Sequence, residues 1–206
     1  MTTTTSRSTD FQIDITDKGL GYNRPQQMGN RLWAPMWLMA LMGFAGGIVV
    51  AAVRAGSISD GAAASTVQSQ LHLGTGLMFI GFASVFAAIS FAIARILGRF
   101  RRGGGEVQQE LGESVHTLQM PKTAKVFMAG MMMAMMVLLI ASVIHLVLAG
   151  STASGATSLV DSESAAIVLE GVRRFGVALY LTAITFGLAT ITRVLRFQAI
   201  RLRELA

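Results

Sequence analysis

Residues 126–149 read VFMAGMMMAMMVLLIASVIHLVLA, and His145 is the one titratable side chain among these twenty-four. A helix of that length rises about 36 Å at 1.5 Å per residue, against a bilayer hydrocarbon core of roughly 30 Å. It is long enough to cross a membrane with some tilt, and too apolar for the surface of a soluble domain. Three comparable stretches accompany it. Arg31 and Arg54 bracket 22 uncharged residues, His72 and Arg95 bracket another 22, and Arg174 and Arg193 bracket 18. The expected fold is an all-α integral membrane protein with four transmembrane helices at about 32–53, 73–94, 126–149 and 175–195.

Composition points the same way. Hydrophobic residues make up 52% of the 206 and charged residues 14%, well under the usual quarter for a soluble domain. Mean hydropathy is +0.57. With no cysteine, the chain has no disulfide framework, thiolate metal site or cysteine nucleophile. The net charge of +6 sits at the ends of apolar runs, where it orients spans in a membrane, so no nucleic-acid partner is expected. Fourteen of seventeen cations are Arg, which with abundant Ala and Gly points to a GC-rich bacterial genome and the cytoplasmic (inner) membrane. The first 30 residues are polar and lack the apolar core of a signal peptide.

Charge also predicts orientation. The N-terminal segment holds Arg7, Lys18, Arg24 and Arg31, the stretch from Arg95 to Lys125 six cations, and the tail from Arg193 four. The other two connections share Arg54, Arg173 and Arg174. Fourteen cations against three place both termini in the cytoplasm.

The connections read as follows. Residues 1–30 form a cytoplasmic segment, partly disordered, with a Thr/Ser tail over 1–10. Phe11, Ile13 and Ile15 alternate with polar residues, a pattern for a strand or a clamp on a partner, but a lone strand has nothing to pair with and a solvated tail is the favoured reading. Gly19, Gly21, Asn23 and Pro25 predict irregular backbone, and Pro35 falls in the first turn of the first span. Trp33 and Trp37 suit the membrane–water interface. Residues 55–71 read as a loop. The central connection, 99–125, opens on a three-glycine hinge and continues as an amphipathic helix with Val107, Leu111, Val115 and Leu118 on one face and His116 in solvent.

Residues 31–57 align without a gap on 125–151. Met39, Ala40, Met42, Val49, Val53 and the tripeptide Ala55-Gly56-Ser57 recur, eight identities in 27 positions. Leu71, Ile93 and Arg95 fall on Leu169, Ile191 and Arg193, and His72 falls on Glu170. The chain therefore reads as two tandem, similarly oriented helical hairpins, N-in and C-in, related by an axis along the membrane normal. Small residues at Gly43, Gly47, Gly81, Ala183 and Gly187 are the expected helix-packing positions.

Candidate chemistry is sparse. His72 and His145 stand at similar depth on different helices, the arrangement of axial ligands to a b-type haem, although either imidazole also serves as a helix-bonding or interfacial group. With Glu170 they form a second option, an external metal or proton site with Asp60, Asp161 and Glu163 in the adjoining loops. Met128, Met132 and Met136 lie on one helix face, and thioethers select Cu(I), while unbranched Met also fills gaps between helices. No catalytic signature occurs, so the chain is not read as an enzyme, although it can belong to an enzyme complex. The leading expectation is a non-catalytic accessory subunit, partnered by other membrane subunits and lipid, with homo-oligomerisation as a further option. The alternative is a small transporter or channel with its path between the hairpins, and the third is the haem subunit. Because the chain lacks cysteine, a single introduced thiol reports its own side of the membrane. Ala206→Cys should react with an impermeant maleimide only after the membrane is opened, and labelling of intact cells would reverse the orientation.

Overall fold

The computed structural model describes residues 13–15, 24–112, 115–118 and 120–204. The Thr/Ser tail and Phe11 lie outside these residues. In chain order the elements are β1 (Ile13–Ile15), α1 (Arg24–Ser59), α2 (Ala64–Glu110), β2 (His116–Leu118), α3 (Lys122–Ala153) and α4 (Leu159–Glu204). All four helices are long and apolar enough to cross a membrane, which makes this a multi-pass membrane protein.

Each helix outruns its apolar stretch, and this corrects several expectations. Arg24–Asn30 is helical, because Gly29 lets the first turns of α1 rest on α2 at the Phe91 carbonyl and the Arg95 backbone. Pro25 then sits at the helix start, where no N–H is needed, and Pro35 falls inside α1 rather than in its first turn. Residues 55–71 are not a loop. α1 runs on to Ser59 and α2 begins at Ala64. Gly61, at φ +68°, adopts the left-handed conformation that ends the first helix, with Gly61 N–H donating to the Ile58 carbonyl and Ala62 N–H to that of Ser57. Gly155, at φ +75°, closes α3 in a similar way, and Ser158 caps α4 by accepting the Asp161 N–H at 3.1 Å.

The three-glycine hinge is also helical, since α2 continues through Gly103–Gly105 to Glu110. Three glycines cost roughly 1 kcal/mol each relative to alanine. Local contacts offset this: Gly105 and Gln108 are buried, Arg102 pairs with Glu106, and Gln198 of α4 donates to the Phe100 carbonyl at 3.1 Å. Beyond Glu110 the predicted amphipathic helix gives way to an antiparallel ribbon in which Ile13, Asp14 and Ile15 face Leu118, Thr117 and His116. The N-terminal strand thus finds its partner within the chain.

The packing is unequal. α2, α3 and α4 share a core of Phe86, Ile93, Phe127, Met131, Leu138 and Tyr180, with Phe86 and Tyr180 stacked. Among the described residues α1 packs along α2 and makes no comparable contact with α3 or α4. A two-fold axis relating the repeats would pair α4 with α1 as it pairs α2 with α3. The helices do not follow it.

Gly43 and Gly81 meet where α1 crosses α2, and a Cβ on Gly43 would lie 2.7 Å from the Gly81 nitrogen. Gly47 abuts Met78, Gly187 abuts Phe127, and Ala183 faces Gly130. Gly43→Ala should therefore cost about 1–3 kcal/mol through overpacking. Gly56→Ala, whose new methyl meets nothing within 4 Å, should be neutral or gain a few tenths of a kcal/mol through helix propensity. Reversible unfolding in mixed micelles measures both.

Candidate functional site

Five of the buried polar residues gather where α2 begins, α3 ends and α4 begins: His72, Ser142, His145, Thr152 and Ser162. His72 is 0% exposed, Ser162 0%, Thr152 1% and His145 2%. Buried groups of this kind need partners, since hydrocarbon offers none. His72 Nδ1 lies 2.9 Å from His145 Nδ1, and His72 Nε2 lies 2.8 Å from Ser162 Oγ. Thr152 donates to Ser162 at 3.1 Å. Below this row Ser142 donates to the Gly76 carbonyl at 2.8 Å, and above it Ser69 donates to the Ala149 carbonyl at 2.7 Å. Gly76 permits the approach, since a Cβ there would press on Leu146 and the His145 Cβ.

A neutral imidazole has one donor and one acceptor, so the chain has two consistent settings. In the first, Ser162 donates to His72 Nε2, His72 Nδ1–H donates to His145, and His145 Nε2–H is left over. In the second both histidines carry the other tautomer: His145 Nδ1–H donates to His72, and His72 Nε2–H donates to Ser162. His145 Nε2 is buried without a hydrogen-bond partner, so both settings leave one unmet nitrogen. The Phe79 ring stands edge-on to His145 with centroids 5.1 Å apart.

Phe79 also lines a cavity of about 550 Å³ between α1, α2 and α4. Arg54, Gln70, Glu170 and Arg173 supply its polar lining. Arg54 Nε, Arg173 Nε and Gln70 Oε1 are buried with no hydrogen-bond partner, while Gln70 Nε2 donates to Ser57 Oγ at 3.0 Å. Glu170 stands ahead of the apolar stretch that begins at Phe175. It accepts from Arg173 and, at 3.0 Å, from Arg174. The Arg173 hydrogen bond holds the Glu170 carboxyl below its ordinary value of 4.5, burial opposes the shift, and Arg174 adds to it. Glu170 also lies within electrostatic reach of His145.

The structure brings His72 and His145 together with Glu170 nearby. It does not bring in the loop acids. Asp60 is exposed in the α1–α2 turn, Asp161 accepts from the Ser158 hydroxyl at 2.7 Å, and Glu163 is exposed. Among the described residues no three acids and histidines converge as metal ligands would. Sequence reasoning missed Ser162 and Thr152, because isolated hydroxyls at a helix end carry no motif. Only their position opposite His72 makes them partners.

The haem reading does not fit this geometry. Two axial imidazoles flank an iron from opposite faces, which separates their nitrogens by roughly 4 Å at metal–nitrogen bonds of about 2 Å. Here the Nδ1 atoms are 2.9 Å apart and bonded to each other, leaving no slot for a porphyrin. Met128, Met131, Met132 and Met135 line one cavity. Met128, Met132 and Met136 are exposed, Met131 is buried in the core, and Met135 is half-buried.

The fold and this cluster define a multi-pass helical membrane protein with a buried histidine–hydroxyl knot at one end. Comparison with known protein families, curated proteins and solved structures finds no match to the chain.

Truncating His72 strands His145 Nδ1 and leaves Ser162 with Thr152 alone. His72→Ala should cost about 1–3 kcal/mol for the stranded imidazole, while a double-mutant cycle with His145→Ala should return a smaller coupling, about 0.6–1.7 kcal/mol. Glu170 sets a pH dependence. Its folded value is lowered, so its contribution is complete above the ordinary carboxylate value and is lost as pH falls through the folded one. Acid titration of unfolding should show this loss in the parent chain and not in Glu170→Gln.

Proposed function

We propose that this chain is a non-catalytic accessory subunit of a larger bacterial membrane complex, with both termini in the cytoplasm. One observation carries the reading: among the described residues α1, a 36-residue helix, is held along α2 and by no other helix to a comparable extent. Its remaining surface presents Leu38, Met42, Ile48 and Val49, each at least 60% exposed. Lipid covers such a surface, but a helix with one packing partner is also the element that gains most from a second. Exposed Ala45 and Ala52 on α1 allow another helix to approach closely. The cation asymmetry supports the orientation.

A photo-crosslinking residue at Val49, in native membranes, should capture a second membrane protein, and the chain should co-purify with it in mild detergent. Recovery as a stable lone monomer with only lipid adducts would overturn the proposal. A second reading, a small carrier, is favoured by two cavities lined by different ends of the helices, about 640 and 550 Å³, each with arginines in its lining. Transport by the purified protein in liposomes would support that reading instead.

A further inference from the structure

The larger cavity, about 640 Å³, lies at the end of the molecule opposite the histidine knot. Its lining runs from Arg101 to Ala87 on α2 and from Pro121, just ahead of α3, to Met135 on α3. The fourteen helical rises from Ala87 to Arg101 give it a length of about 21 Å. One leaflet of the hydrocarbon core is roughly 15 Å thick, so the cavity matches a chain lying along a leaflet with its polar end beyond it.

The walls are chemically divided. Phe91, Phe127, Met131 and Met135 form the inner part, and the thioethers adapt to a flexible guest. Arg24 and Arg101 stand at the outer part, and no Asp or Glu lines the cavity among the described residues. Arg101 Nη1 is buried with no hydrogen-bond partner. The neighbouring carboxylate, Glu106, is engaged by Arg102. A buried guanidinium N–H without an acceptor is costly, and a phosphate oxygen satisfies it with a charge-assisted bond.

We infer that this cavity binds an anionic phospholipid, one acyl chain against the methionines and the phosphate on Arg101 and Arg24. Charge selects the occupant. An uncharged stretch of partner helix offers no anion to the stranded Arg101 Nη1. A soluble anion would satisfy Arg101 and leave the apolar length empty. Basic pockets between transmembrane helices hold acidic lipid headgroups by the same chemistry. Lipid binding here is independent of any partner on α1.

The test is thermal unfolding of the purified full chain in detergent with phosphatidylglycerol, phosphatidylcholine of the same chains, or glycerol 3-phosphate. Phosphatidylglycerol should raise the midpoint by several degrees and the other two should not. Arg101→Gln should abolish most of the shift, and Arg99→Gln, outside the lining, should keep it. Should Arg101→Gln fail to fold, Arg24→Gln at the exposed start of α1 should reduce the shift on its own. Equal shifts from both lipids, a full shift in the lining variants, or a matching effect of glycerol 3-phosphate would each overturn the inference.

Discussion

A helix crossing hydrocarbon satisfies its own backbone but not its polar side chains, and every such side chain must find a partner inside the protein. In this molecule that constraint falls on α2. It packs against each of the other three helices, and it carries His72 and the Gly76 carbonyl that tie it to α3 and α4. Gly76, Gly81, Ala83, Ala87 and Ala88 are all buried, which lets neighbours approach from several sides. Small side chains thus set the close packing, and the polar knot fixes which helices meet at that end.

The two ends of the molecule differ in kind. At one, short connections hold the histidines, Ser162 and Thr152 in a network that leaves one nitrogen unmet. At the other, α2 and α4 extend well past their apolar stretches and are joined by the Gln198 bond to Phe100. The first end is hydrogen-bonded beside a cavity in which Glu170 accompanies Arg54 and Arg173. The second is sulfur-lined, and Arg24 and Arg101 stand in its cavity with no acid among the described residues. A duplicated hairpin would make the halves alike, but α1 and α3 occupy different environments, one peripheral and one central.

Much of the fold was legible along the chain, and some of it was not. Arg31, Arg95, Arg174 and Arg193 mark the apolar stretches, but the helices ignore them as boundaries, because helix ends obey capping. Gly61 and Gly155 end α1 and α3, and Ser158 starts α4. A Ser-Asp-Gly or Ser-Gly signal was available at the two helix ends. The glycines at 103–105 misled, since propensity alone does not register packing by α4. The histidines stood out as rare ionisable groups in apolar helices, whereas Ser162 resembled any other serine.

By itself, the sequence determined that four helices are apolar enough to span a membrane, because hydropathy adds up residue by residue along a local stretch. It also determined the absence of cysteine chemistry and the concentration of charge at the ends of the apolar runs. Only the tertiary structure decided that α1 stands at the edge, that His72 bonds His145 and Ser162, and that the glycine run is helical. Those outcomes depend on contacts between residues up to 98 positions apart, as between Phe100 and Gln198. Such contacts are selected by shape and hydrogen-bond geometry across helix interfaces, which no local reading of the chain contains.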